Sequence, residues 1–407
     1  FAPHAELAIA NAICQEIVAR WLASRDFIAR HLAFKRGTTG IGHGLTDDAL
    51  LPDDGTDASW EDYVRFLEDY TPERAQQVSG VPADNIRWLA SLYADPMRKV
   101  VTAWGSAVNQ HSRGTWLNNL LHNIHLLVGK VASPGNGAIS LTGQPGGAAL
   151  VDAALRSRQG PAVDRQRAAQ LWGVAPGQAD ERAARPALSM FRALERGDIR
   201  FLWIQASNPM VSLPNLARYR AAVRREERFV VVSEAYPTPT TDIADVVLPA
   251  AMWIERDGIY VNAERRVQYF DRMVLPPGDA MGDAQQMIEV ARRLGHGLRF
   301  DWDPSDLTLR TWEELRRVQA APGDALPEVT GLQREPGLQW PAPGGRATRW
   351  RYNTEHDPAA DRARGEFDFY GHEDHRAWIW LRPYEPPAES PDGEYPFWFS
   401  TGSVVEH

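Results

Sequence analysis

Cysteine is almost missing: the 407 residues include one, Cys14. A single thiol excludes an internal disulfide, a structural zinc cluster and an iron–sulfur site built from this chain alone. No apolar run approaches the length of a membrane-crossing helix. Basic residues are outnumbered, 44 Lys and Arg against 53 Asp and Glu for a net charge of −9, so nothing in the charge favours nucleic acid. No Walker loop occurs, and no GxGxxG joins a strand to a helix. A targeting segment is lacking as well. Starting at Phe1 and stopping on the apolar run FWFSTGSVVEH, the chain reads as the middle of a longer polypeptide, so its sequence carries no address.

What is present is a globular composition, 43% hydrophobic with 15 Trp, in a chain too long for one ordinary core. Two or more lobes are expected. Cys14 lies in a helical pattern, with Ile9, Ile13 and Ile17 on one row and Cys14, Val18 and Leu22 on the next, which makes it a small buried hydrophobe. Helices are predicted at about 60–69, after Thr71-Pro72-Glu73 as far as Gly80, and at 83–94. Residues 99–104 read as a strand. Asn109 and Gln110 follow its end, where they either face a ligand or bond within the loop. His111, His122 and His125 lack a third partner at metal-ligand spacing, and the latter two share one apolar helix, so they read as core or helix-face histidines.

From residue 186 the pattern alternates: helix, strand 201–204, Asn208-Pro209, helix 216–224, strand 229–232. This is the α/β pattern of a parallel sheet with right-handed crossovers. Phe229, Val230, Val231 and Val232 form the continuous run expected of a strand buried on both faces, and Val246, Val247 and Leu248 form a second apolar run. Asn208, Ser233 and Glu234 follow their strands, the place where open α/β sheets bind ligands. A carboxylate there suits a donor-rich ligand such as ribose or the N–H edge of guanine. The pattern divides the chain into 1–98, part of a first α/β lobe; 99–300, a second α/β lobe carrying the strand ends just named; 301–375, a Pro- and Gly-rich covering segment; and 376–407, the start of a β-rich domain.

Residues 229–266 read FVVVSEAYPTPTTDIADVVLPAAMWIERDGIYVNAERR. This resembles the molybdopterin-guanine-dinucleotide oxidoreductases, where an aDvvLP…wxEkxGtxxNxERR motif follows a strand ending in Ser-Asp or Ser-Glu. The YTPE…sGVP…I…LA…YA pattern is similar to the same family. FKRGTTGIGHGL at 34–45, NQHSRG at 109–114, WRYN…DP at 350–358 and residues 397–407 resemble the catalytic subunits of periplasmic nitrate reductases. The similarity runs over nearly the whole chain and is weakest at 146–200.

The resemblance implies Rossmann-like parallel-sheet lobes holding molybdenum between two molybdopterin guanine dinucleotides. It also implies a 4Fe-4S cluster in a preceding segment, reduction of nitrate to nitrite, a dihaem cytochrome c donor and a periplasmic location. The dinucleotide-binding residues it carries over are Glu6, Gln110, Asn208, Ser233, Glu234, Arg256, Asp283, Thr401 and Gly402. Glu6 and Glu234 stand for family aspartates and Arg256 for a lysine, each with its charge kept. Arg256 would offer a cationic fork to phosphate or carboxylate. Two departures bear on the substrate: Ser106 stands where the family has methionine, and Asp152 where it has an arginine beside the metal. NPMVSLP at 208–214 looks like the assimilatory nitrate reductase and formate dehydrogenase branches. A non-catalytic remnant of the scaffold is the reading from another class.

Overall fold

Valine-rich strands need cover on both faces, and the segment around 229–234 receives it. The computed structural model describes residues 1–37, 55–110, 112–141, 169–173, 187–318, 325–333, 336–387 and 389–399. By contact the chain forms two units, one of Phe1–His43, Asp53–Thr142 and Arg362–His407, the other of Gly44–Pro52 and Gly143–Asp361.

In the first unit the Glu6–Ala19 helix is central, burying Leu7, Ile13, Cys14 and Ile17. It packs on the helices Pro72–Ser79, Ala83–Ala94 and Gly114–Leu127. Local chemistry sets their ends. Thr71 Oγ1 accepts from Arg74 N–H at 3.2 Å ahead of Pro72, and Gly80 closes that helix at φ 74°. Ser59 and Asp62 form a reciprocal capping box on Trp60–Leu67. Strand β1 (Leu32–Arg36) pairs antiparallel with β2 (Thr56–Ala58) and, on its other side, parallel with the Ala377–Leu381 strand from far along the chain. A second, two-stranded parallel sheet joins β3 (Val101–Trp104) to β4 (Gly137–Ser140).

The second unit holds the parallel sheet expected from the alternation, in the order β5 (Phe201–Gln205), β6 (Phe229–Glu234), β7 (Val246–Pro249). Central β6 buries Val230, Val231, Val232 and Ser233, but Phe229 at its start is exposed and stacks on exposed Phe201 of β5, so the cover expected over 229–232 begins only at Val230. Phe191 and Leu194 of the Ala187–Arg196 helix and Tyr219 and Val223 of Leu216–Val223 pack on Leu202, Ile204, Val230 and Val232. Each such side chain taken from water contributes roughly 1.5–3 kcal/mol. A hairpin follows, β8 (Gly258–Val261) and β9 (Arg266–Phe270), extended by β10 (Leu338–Gln339). Its Val261 and Val267 cluster with Trp312 of the Leu307–Val318 helix, Leu332 and Trp340. Glu264 and Arg265 of the ERR triplet lie in the turn of that hairpin, and Arg266 opens β9. Arg265, at φ 62°, donates to the carbonyls of Trp340, Thr348 and Arg349 and so ties the later segment down.

Candidate functional site

The carboxyl ends of β5, β6 and β7 stand abreast. Gln205 is opposite Ser233, Ser233 opposite Leu248, and Glu234 opposite Pro249. Beyond β7 the edge continues through Met281, which bridges in parallel to Ala250; its N–H donates to Pro249 O at 3.1 Å. The Asp283–Ala291 helix therefore starts beside the strand ends. Five of the residues expected to bind the cofactor, Asn208, Ser233, Glu234, Arg256 and Asp283, belong to this unit.

Their environments differ. Ser233 is 1% exposed, and its hydroxyl accepts from Trp203 Nε1 at 2.8 Å while donating to Gln286 Oε1 at 2.6 Å. That hydroxyl is committed to the protein, so main chain is what Ser233 has to offer a ligand. Gln286 in turn donates to Pro249 O at 2.8 Å and Met281 O at 3.2 Å, holding β6, β7 and the helix start together. Glu234 is half-buried, with Oε1 accepting from Ala235 N–H at 2.8 Å. Asn208 Oδ1 accepts from Thr240 Oγ1 at 2.6 Å.

Arg256 and Asp283 carry the site's unspent polarity. Arg256 Nε and Asp283 Oδ1 are buried with no hydrogen-bond partner among the described residues, and Gln205 Nε2 is a third such atom. Burial holds the Asp283 carboxyl above its usual range; the Arg256 charge works against that rise, and Glu234 adds to it. A cavity of about 790 Å³ opens beside the pair, lined also by Met281, Gln285, Thr311 and Trp312. Buried polar atoms are nearly always partnered. A guanidinium, a carboxylate and an amide at one strand-end edge fit a ligand with both anionic acceptors and N–H or O–H donors, as a nucleotide has.

The first unit holds the remaining described positions. Glu6 lies in the first turn of its helix, and its Oε2 is buried without a hydrogen-bond partner among the described residues. Ser106 and Gln110 are exposed after β3. Asn109 bonds within the loop: Oδ1 accepts from Trp104 Nε1 and Asn118 Nδ2, both at 3.0 Å, and Nδ2 donates to Ser140 Oγ at 2.8 Å. His125 bridges Thr102 Oγ1 and Lys130 O, and burial pushes it down to about 4. His122 sits edge-on to Trp104. Burial also pushes the Cys14 thiol up to about 12, the opposite of what a thiolate ligand needs. Asp152, Thr401 and Gly402, along with His111, lie outside the described residues.

Sequence reasoning missed Gln205, Thr240 and Gln286. Gln205 carried a usable signal, being the last residue of an apolar strand in register with Ser233. Thr240 and Gln286 carried none, since one sits in a Thr-rich loop and the other in an ordinary helix.

Unpartnered polar atoms gathered at parallel strand ends stand where open α/β sheets bind their ligands. The model of the molybdopterin oxidoreductase family matches residues 2–293, and the chain belongs to that family, whose members are molybdenum-cofactor oxidoreductases with a molybdenum–pterin group. Among solved structures, acetylene hydratase from Pelobacter acetylenicus is similar in fold, with a TM-score of 0.51 at 15% identity over 76% of this chain. The chain spans 44% of that structure's length. At this identity the likeness is one of fold alone.

Proposed function

We propose that this chain is the central part of the catalytic subunit of a bis(molybdopterin guanine dinucleotide) nitrate reductase, and that its second unit holds a guanine dinucleotide arm of the cofactor. The observation that carries the binding half is the set of buried, unpartnered atoms of Arg256, Asp283 and Gln205 at the edge of β5, β6 and β7. Arg256 would meet a phosphate or ribose oxygen, Asp283 and Glu234 the donor edge of the base, and Asn208 an acceptor. The cofactor supplies the redox chemistry. This chain's residues bind, orient and desolvate its nucleotide end.

The choice of nitrate, the dihaem cytochrome c donor, the 4Fe-4S cluster and the periplasmic location rest on the resemblance alone. Asp152 weighs against nitrate, because a carboxylate beside the metal repels an anion. The NPMVSLP stretch favours the assimilatory and formate branches as the second reading.

Molybdenum and released guanine nucleotide, measured on the complete purified protein, test the cofactor. About two guanine nucleotides per molybdenum are expected. Finding neither in a host that makes the cofactor would leave a retired scaffold. Nitrite formation with a reduced dye, run beside formate oxidation, then separates the substrates.

A further inference from the structure

Thr240 is fully buried, and its hydroxyl has two neighbours. Met210 N–H donates to Oγ1 at 3.2 Å, and Oγ1 lies 2.6 Å from Asn208 Oδ1. A hydroxyl owns one proton, and in a buried site that proton must find an acceptor. With the Met210 N–H already donating to it, the Thr240 proton goes to Asn208. The Asn208 group facing Thr240 is therefore the carbonyl oxygen, and the amide N–H₂ is turned the other way. The Thr240 position is itself preset: Thr240 N–H donates to Thr238 Oγ1 at 3.2 Å, and Thr238 N–H to Thr241 Oγ1 at 2.8 Å.

We infer that Thr240 is a positioning residue that makes Asn208 an obligate donor at the strand-end edge, so that the group read there is an acceptor oxygen of the nucleotide. This rests on the nucleotide reading of that edge proposed above. It sorts the site's groups by role, with Asn208 and Arg256 as donors and Glu234 and Asp283 as acceptors. Phosphate oxygen and base carbonyl share the required chemistry, and the test separates them.

Guanosine monophosphate and guanosine are titrated into the complete protein made in a cofactor-deficient host, with melting temperature recorded for each variant. Asn208→Asp keeps an oxygen for Thr240 but turns an acceptor toward the ligand. It should melt near the wild-type temperature and bind the monophosphate about tenfold more weakly or worse. Thr240→Val frees the amide to rotate and should weaken binding roughly fivefold, with Thr240→Ser returning it to within about twofold of wild type. Weakening for the monophosphate alone assigns the contact to phosphate; equal weakening for guanosine assigns it to the base carbonyl. Wild-type affinity in both Asn208→Asp and Thr240→Val overturns the inference while the nucleotide reading stands, as does a Thr240→Val that melts earlier but binds unchanged. Should Thr240→Val not fold, Asn208→Asp decides. A wild-type protein that binds neither probe removes the nucleotide reading and this inference with it.

Discussion

Asp283 is where stability and ligand binding pull in opposite directions. Its carboxyl is raised by burial, so the folded chain prefers it protonated and its ionisation at neutral pH works against folding. A raised folded value means the stabilising contribution is complete below the unfolded carboxylate value of about 3.9 and is lost as pH rises through the folded one. Asp283→Asn should therefore raise the melting temperature of the cofactor-free protein at pH 7. That gain should shrink to nothing on acidification below about pH 4, and guanine nucleotide should be lost from the purified protein. An Asn variant no more stable at pH 7 than wild type would show that the charge is already compensated. His125 has the opposite sign. Burial lowers it to about 4, so its stability is present above the unfolded value and drains away as pH falls toward the folded one. The loss is at most about 3 kcal/mol between about pH 6.5 and 4. Urea titrations of wild type and His125→Gln should converge in stability over that interval; parallel curves would mean that His125 titrates normally.

Elements with local punctuation were readable in advance, and those without it were not. Thr71, Pro72 and Gly80 bracket one helix, and the valines of β6 announce a buried strand, so these appear as expected, whereas Val246 and Val247 of β7 are exposed. The hairpin β8–β9 was hidden because Glu264, Arg265 and Arg266 lack the Gly or Asn-Gly punctuation that announces a tight turn. Pairing of Leu32–Arg36 with Ala377–Leu381 links strands that no local pattern connects. Within the hairpin, Gly258 lies opposite Phe270, whose ring covers the glycine and stacks on Tyr260 at 4.6 Å between centroids. A side chain at Gly258 would occupy the space of that ring. Gly258→Val should cost about 1–3 kcal/mol, the penalty of forcing extra bulk into packed structure. Because β8 begins two residues after Arg256, the variant should also loosen nucleotide binding. A denaturation midpoint within error of wild type would show that Phe270 moves aside freely.

At the scale of the whole molecule, family and cofactor were legible while substrate was not, and the reason is physical. The family resemblance is spread over long stretches, as in residues 229–266, whereas the substrate reading proposed above rests on single positions such as Ser106 and Asp152. The metal raises the same question of place. The one thiol in the sequence, Cys14, is fully buried in the core of the first unit beside Tyr63, with its pKa pushed up to about 12 by burial. A thiol in that setting stays protonated and has no open side, so it packs rather than ligates. Cys14→Ala in the complete protein should lower stability by about 1 kcal/mol, the cost of one small buried group, and leave molybdenum content unchanged. By the same logic, the 407-residue chain on its own should yield no nitrite with a reduced dye, even when supplied with cofactor. Loss of molybdenum from Cys14→Ala, or turnover by the isolated chain, would place the metal at a thiol that the fold keeps shut, and the division between a binding scaffold here and metal ligation elsewhere would have to be abandoned.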